Sequence, residues 1–157
     1  MHIGRLISMI ALIQRTDGIK CIIDDKVSSK TDNKALLVLL GVKNDDTNED
    51  VEYIVRKIPE LRIFSDDDGK MNLSAIDVNA SIFVVSQFTL HAKCRKGRRP
   101  NFMNAAGREL GNALYEDVVR ELKKSNLDVL TGEFGADMNL IFNNNGPVTI
   151  ILDSRED

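Results

Sequence analysis

Several residue types that build common catalytic and structural sites are scarce in this sequence. Its 157 residues include two cysteines, two histidines, three prolines and no tryptophan. Cys21 and Cys94 lie far apart, so they form neither a disulfide framework nor a zinc-binding pattern, and we interpret them as free thiols in a reducing compartment. The acidic run 66–69 lacks the later ligands of a calcium loop. We therefore expect neither a metal site nor a cofactor.

Long apolar runs are also missing. No run approaches the roughly 18–20 residues that a membrane span requires. The apolar start of the chain lacks a convincing cleavage site for secretion. We expect a cytoplasmic protein of one ordinary domain that has no membrane partner.

The charge balance excludes a uniformly basic protein that coats nucleic acid. Lys and Arg number 21 against 24 for Asp and Glu, which gives a net charge of −3. The loop 93–99, called the basic loop below, departs from this balance, because five of its seven residues are cationic. They are Lys93, Arg95, Lys96, Arg98 and Arg99. Such a loop suits the backbone of RNA or DNA, and a solvated surface loop is the alternative.

The hydrophobic pattern predicts both strands and helices. Val51, Ile54, Val55 and Ile58 form one helical stripe after a Thr47 N-cap, and a second stripe runs over 110–122. Apolar runs predict strands at 9–13, 19–23, 35–42, 61–64, 82–90, 129–131, 138–142 and 148–152. The sequence therefore predicts an α+β domain with a mostly antiparallel, barrel-like β-sheet and two main helices.

Ordinary catalytic constellations are mostly absent. Only His91 could serve a Ser-His triad, because His2 lies near the terminus, and no phosphate-binding glycine loop is present. Two polar segments interrupt apolar strands instead, at 86–89 and at 143–149, and the second contains a Gly-Pro turn. From composition alone, a half-exposed strand and a plain hairpin turn are the simpler interpretations.

Taken together, these segments resemble the two signature motifs of the D-aminoacyl-tRNA deacylases. The motifs are Ser86-Gln87-Phe88-Thr89 and Asn144-Asn145-Gly146-Pro147-Val148-Thr149. Three other stretches are similar to the family in order and spacing, at 13–15, 96–102 and 134–138. The resemblance runs from about Met9 to Ser154. It implies that residues 1–8 are an N-terminal extension and that 9–157 form a single deacylase domain.

The resemblance implies an enzyme of translation quality control. The family hydrolyses the ester that joins a D-amino acid to the terminal adenosine of tRNA, and it is a homodimer with active sites at the subunit interface. Gly146-Pro147 would be a cis peptide that reaches into the partner's site. Its carbonyl groups would exclude L-amino acids, and glycine, which has no side chain to reject, would also be accepted.

Residue roles follow from the same resemblance. The catalytic segment would be Ser86, Gln87, Phe88 and Thr89. The remaining substrate-binding residues would be Gly146, Pro147, Arg15, Phe134 and Met138, with Arg15 bracing the Gly-Pro turn. The five cations of 93–99 would bind tRNA.

Thr89 has two possible roles. It is a candidate nucleophile, but no base is evident beside it, and an unactivated hydroxyl is a poor nucleophile. We therefore expect backbone amides near Phe88 and Thr89 to stabilise the oxyanion, while the 2′-hydroxyl of the substrate assists the attack.

Two other functions remain as alternatives. A non-enzymatic nucleic-acid-binding protein on the same fold would need only the basic loop. A conventional Ser or Thr hydrolase of small esters is disfavoured by the missing base.

Overall fold

Strands and helices alternate irregularly along the chain. The structure is a computed structural model, and it describes residues 8–156. The strands in that range are β1 (Ile10–Thr16), β2 (Ile19–Ile23), β3 (Lys26–Thr31), β4 (Ala35–Gly41), β5 (Phe64–Ser65), β6 (Met71–Leu73), β7 (Ser81–Ser86), β8 (Val129–Thr131), β9 (Asn139–Phe142) and β10 (Thr149–Asp153). The helices are α1 (Asn48–Lys57), α2 (Ala75–Val78) and α3 (Arg108–Lys123), with 3₁₀ turns at Ile58–Glu60 and Phe88–His91.

Two sheets make up most of the fold. The larger sheet has the order β10-β1-β4-β7-β8, and the smaller has the order β3-β2-β9. In the larger sheet β1 runs antiparallel to both neighbours, whereas β7 runs parallel to β4 and β8. The predicted α+β class with two main helices is confirmed. The barrel-like closure is not confirmed, because neither sheet closes on itself within residues 8–156.

Strand β4 is buried on both faces, which explains its nearly continuous apolar sequence. Leu36, Val38 and Leu40 point to one side and join the cluster that contains α1 and α3. Ala35 and Leu37 point to the other side and join a cluster with the smaller sheet. The larger sheet is therefore a middle layer between helices and a second sheet.

Both main helices bury most of the stripe that the sequence predicts, although Leu110 at the start of the second stripe is exposed. The buried residues of these stripes are Val51, Ile54, Ile58, Leu114, Val118 and Leu122. Helix α1 begins after Thr47, whose N–H donates to Asp50 at 2.8 Å. It ends at Lys57, and Pro59 lies in the 3₁₀ turn that follows.

Two predicted strands have the wrong bounds. Of the strand predicted over 61–64, only Phe64 lies in a strand, at the start of β5. Edge strand β3 was not predicted, because its side chains are largely exposed and give no apolar alternation. The strand predicted over 82–90 ends at Ser86, because Phe88–His91 forms a 3₁₀ turn.

The predicted extension 1–8 lies mostly outside the described residues. Only Ser8 falls within them. Its side chain is buried, and its hydroxyl donates to Asp46 at 2.7 Å. No helix among residues 8–156 is long and apolar enough to cross a membrane.

Candidate active site

The first predicted motif lies where β7 leaves the larger sheet. Gln87 still donates its backbone N–H to Leu40 at 2.8 Å, and the chain then turns sharply through Phe88–His91. His91 links the turn to β4, because its side chain is buried and its Nε2 lies 2.9 Å from the carbonyl oxygen of Gly41.

Gly41 permits the close approach of this turn to β4. A Cβ at Gly41 would stand 3.0 Å from the Cβ of Leu90 and 3.1 Å from the carbonyl oxygen of Gln87. Contacts this short would push the turn away from the sheet.

Among residues 8–156, the Thr89 hydroxyl makes no hydrogen bond to a histidine, lysine or carboxylate side chain. The hydroxyl accepts a hydrogen bond from the side-chain amide of Gln87. His91 follows two residues later, but its Nε2 is directed to the Gly41 carbonyl. The turn therefore presents an amide, a hydroxyl and backbone N–H groups rather than an acid–base pair.

The turn forms one wall of a cavity of about 650 Å³. Ser86, Gln87 and Phe88 line this wall, whereas Thr89 does not. Phe134 and Met138 line another part of the same cavity. The structure thus brings five of the predicted site residues around one concave space, of the size that small ligands occupy.

Most of the remaining cavity wall was not predicted from the sequence. It consists mainly of small residues before and within α3, together with one aromatic side chain. These residues are Phe102, Ala105, Ala106, Gly107, Arg108 and Gly111. The run of small residues ahead of a helix was the signal available, since small side chains leave room for a ligand. Among residues 8–156, no group of three or more His, Cys, Asp or Glu side chains is arranged to hold a metal ion.

Buried contacts hold the cavity wall in place. The Tyr115 hydroxyl of α3 donates to the Val84 carbonyl oxygen of β7 at 2.9 Å, and burial raises the pKa of Tyr115 to about 12. The ring of Tyr115 also lies 5.9 Å from that of Phe134, centroid to centroid. The neutral Tyr115 therefore connects α3 to β7 and to the Phe134 ring in the cavity wall.

The basic loop adjoins the cavity. All five of its cationic side chains are exposed. Reciprocal backbone hydrogen bonds of 2.8 Å between Lys93 and Asn101 close the loop at its base. The next residue, Phe102, packs edge-on against Phe88 with ring centroids 5.1 Å apart. The cations thus lie beside the same aromatic pair that borders the cavity.

The second predicted motif forms a separate, well-braced turn. Gly146-Pro147 is a cis peptide bond. Arg15 exchanges backbone hydrogen bonds with Asn145 and Val148, and its Nε donates to the Asn145 carbonyl at 3.1 Å. The same guanidinium donates to the Ile63 carbonyl at 2.9 Å. Arg15 therefore holds the turn against the body of the fold.

This turn and the cavity are far apart within one chain. In the register of the larger sheet, Ser86 is level with Ala11 of β1, whereas Thr149 pairs with Gln14. Gly146 precedes Thr149 by three residues and so lies still further from the level of Ser86, and β10 is three strands away from β7. Six residues along the strands at about 3.3 Å each and three strands across at about 4.8 Å each give a separation of roughly 25 Å. Neither Gly146 nor Pro147 lines the cavity of its own chain.

Comparison with known proteins agrees with these motifs. The model of the D-Tyr-tRNA(Tyr) deacylase family matches residues 12–153. The chain belongs to this family. Similar curated proteins are each named D-aminoacyl-tRNA deacylase and align over 148 residues, which is 94% of this chain and 99% of theirs. The proteins of Clostridium botulinum (strain Alaska E43 / Type E3) and Clostridioides difficile (strain 630) are 51% identical, and that of Thermosipho africanus (strain TCF52B) is 49% identical.

Two solved structures share the fold of this family member. The c-Myc DNA Unwinding Element Binding Protein is 35% identical, with a TM-score of 0.86 over 94% of this chain and 99% of its own. A probable eukaryotic D-amino acid tRNA deacylase is 20% identical, with a TM-score of 0.80 over 92% of this chain and 98% of its own. The second likeness concerns the fold alone.

Proposed function

We propose that this protein is a D-aminoacyl-tRNA deacylase, which hydrolyses the ester between a D-amino acid and the terminal adenosine of tRNA. The observation that carries the proposal is the 650 Å³ cavity, because it unites Ser86–Phe88 with Phe134 and Met138 in a member of this family. The cavity can hold an adenosine with an attached aminoacyl group. A substrate of this kind implies a cytoplasmic enzyme, and residues 9–157 would be its single domain.

The chemistry relies on the backbone and on the substrate. The first N–H groups of a helical turn lack partners within the turn. Those of Phe88 and Thr89 donate to no backbone carbonyl outside it among the described residues. They would hold the carbonyl oxygen of the ester as it becomes an oxyanion.

The reaction needs no nucleophile from the protein. Water adds to the carbonyl carbon, assisted by the neighbouring 2′-hydroxyl of the terminal ribose. The bond from that carbon to the 3′ oxygen then breaks, which releases the D-amino acid and a tRNA with a free hydroxyl. The lack of a base beside Thr89 favours this route over attack by the Thr89 hydroxyl.

We further propose that the enzyme is a homodimer in which each cavity is completed by the partner's Gly146-Pro147 turn. The separation of turn and cavity within one chain supports this arrangement. Ile151, which is 60% exposed on edge strand β10, and Ile141, 53% exposed on edge strand β9, provide apolar surface for such an interface. Barrel-like closure of the sheets stays a prediction.

Chiral selection would come from the turn. Its carbonyl oxygens would stand against the α-carbon of the bound aminoacyl group, where they leave no room for an L side chain. D-amino acids would be accepted with little reading of the side chain, and glycine would be accepted as well.

The exposed cations of 93–99 would bind the phosphate backbone near the tRNA end. Their position beside Phe88 and Phe102 supports this, since nucleic-acid ends are bound by positive charge next to aromatic rings.

Substitutions at Gly111 test whether the cavity is the active site. A Cβ at this position would lie 3.6 Å from Phe134, which is an ordinary contact, but a longer side chain would fill the cavity. We expect Gly111→Leu to abolish deacylation of D-aminoacyl-tRNA while Gly111→Ala, the matched control, retains it, with similar melting temperatures. Equal activity of the two variants would contradict the proposal.

A nucleic-acid-binding protein without catalysis is the second candidate. The structural likeness to a DNA-unwinding-element binding protein, at 35% identity, favours it, together with the exposed basic loop. It predicts binding of RNA or DNA that is unaffected by Gly111→Leu, and no release of amino acid from any aminoacyl-tRNA.

A further inference from the structure

Arg108 lines the cavity and is unpaired among the residues that the structure describes. It is the first residue of α3 and the one charged residue among the described residues that line the cavity. Over residues 8–156 its guanidinium makes no hydrogen bond and no ion pair. Arg15 and Arg155, in contrast, donate to acceptors within the protein. All five donors of Arg108 are therefore available to a ligand.

Packing against Gly135 fixes where this guanidinium lies. A Cβ at Gly135 would stand 3.3 Å from Nη1 and 3.5 Å from Cζ and Nη2 of Arg108. Gly135 has a φ of +77°, so the backbone there also favours glycine. The guanidinium thus lies along the turn that follows Phe134, on the cavity wall.

Nearby carboxylates determine the side from which an anion can approach. A second, shallower cavity shares Arg108 and Phe134 but is lined by Glu109, Glu116 and Glu133. These carboxylates repel an anion on that side. The active-site cavity contains no carboxylate among its described lining residues. An anion is therefore more favoured at Arg108 on the side of the active-site cavity than on the side of the three glutamates.

We propose that Arg108 binds the phosphate on the 5′ side of the terminal nucleotide. The inference rests on the proposed function. A nucleoside in this largely apolar cavity, with its ester at Phe88, carries that phosphate on the same ribose. The phosphate must leave the cavity past the rim, where Arg108 offers a planar fork that matches phosphate oxygens. Arg108 is thereby a substrate-positioning residue, distinct from the cations of 93–99.

Two minimal substrates separate this role from general RNA binding. They are 2′(3′)-O-D-tyrosyl-adenosine with and without a 5′-phosphate, and the readout is the ratio of their kcat/KM values. We expect the wild-type enzyme to prefer the phosphorylated substrate about tenfold, Arg108→Gln to reduce the ratio to near one, and Arg108→Lys to restore part of it. Both substrates are measured on one preparation, so partial unfolding does not change the ratio.

A matched control completes the test. Arg120→Gln, on the same helix but away from the cavity, should leave the ratio unchanged. A wild-type ratio near one, or an unchanged ratio in Arg108→Gln, would overturn the role of Arg108 while leaving the deacylase function intact. Hydrolysis of neither minimal substrate nor D-aminoacyl-tRNA would overturn both.

Discussion

At the scale of single residues, a substitution at Thr89 distinguishes attack on the ester by the Thr89 hydroxyl from attack by water. The hydroxyl accepts a hydrogen bond from the side-chain amide of Gln87, and the N–H groups of Phe88 and Thr89 donate to no backbone carbonyl outside the turn among the described residues. We expect Thr89→Ala to retain most of the deacylation rate, within about tenfold, because the side chain is not the nucleophile. Single-turnover kinetics on D-aminoacyl-tRNA measures the deacylation rate of this variant. Thr89→Val, which removes the hydroxyl but keeps the shape of the side chain, is the control. Loss of all activity with normal binding of the substrate would show that the Thr89 hydroxyl is the nucleophile.

Gly146 tests chiral selection at a single position. A Cβ there would lie 2.8 Å from Cγ2 and 3.0 Å from N of Val148, and its φ of +131° is strained for other residues. We expect Gly146→Ala to displace the turn and to reduce the preference for D- over L-aminoacyl-tRNA.

Gly69→Ala is the matched control for Gly146→Ala. Its φ is +76°, but nothing lies within 4 Å of the added Cβ. It should cost about 1 kcal/mol of stability without changing the D/L preference. A parallel change of preference in both variants would show that the effect comes from general destabilisation.

At the scale of elements, the start of α1 is tied to the C-terminal segment through Asp50. Although burial acts to raise its pKa, hydrogen bonds from Arg155 and Ser154 lower the pKa of Asp50 to about 2. A lowered folded-state pKa stabilises the fold above the unfolded value, near 3.9, and this stability is lost as the pH falls towards 2.

We therefore expect Asp50→Asn to cost roughly 2 kcal/mol at pH 7. The difference from wild type should shrink between pH 4 and pH 2, where Asp50 itself becomes protonated. Urea unfolding of both proteins across this range measures it. A difference that stays constant with pH would mean that the charge of Asp50 contributes nothing.

The basic loop is an element whose role appears in the dependence on salt. Neutralising Arg95, Arg98 and Arg99 to Gln should weaken tRNA binding and reduce the slope of log K against log salt by ~0.7 for each lost contact with a single-stranded phosphate. Filter binding between low and moderate salt measures the slope. The control replaces three exposed lysines of β2 and β3, namely Lys20, Lys26 and Lys30. If the loop variant and the wild type have equal slopes of log K against log salt, the basic loop is a solvated surface that contacts no phosphate.

Local signals predicted most elements, while tertiary packing determined the rest. The buried strands and the amphipathic helices follow from apolar periodicity, as β4 and the Val51–Ile58 stripe illustrate. Edge strand β3 escaped prediction because exposed strands carry no such pattern. The 3₁₀ turn at Phe88–His91 depends on Gly41 and His91 meeting across 50 residues, which no local window contains.

The site itself was predictable only in part. Family motifs pointed to Ser86–Thr89 and to Gly146-Pro147. The lining residues Gly107, Arg108 and Gly111 carry no motif, because their role arises from where α3 begins relative to the end of β7. Arg108 is recognisable only once the structure shows that it has no partner within residues 8–156.

At the scale of the whole molecule, the two halves of the proposed site lie on opposite parts of one chain. Mixing Gly111→Leu with Gly146→Ala tests whether subunits complete each other. Gly111→Leu blocks the cavity and Gly146→Ala displaces the turn, so in a mixed dimer the one open cavity would face an intact turn. Random mixing in equal amounts should therefore halve the hydrolysis of L-aminoacyl-tRNA per Gly146→Ala subunit. An unchanged rate on the L ester after proven subunit exchange would argue that each chain works alone.

The central claim is that this protein hydrolyses D-aminoacyl-tRNA and excludes the L form. The most direct measurement compares the release of amino acid from D-tyrosyl-tRNA and L-tyrosyl-tRNA by the same wild-type preparation, with glycyl-tRNA alongside. We predict rapid hydrolysis of the D ester and of glycyl-tRNA, and no hydrolysis of the L ester above the uncatalysed rate. Equal hydrolysis of both hands would contradict the chiral selection, and hydrolysis of neither would contradict the enzyme.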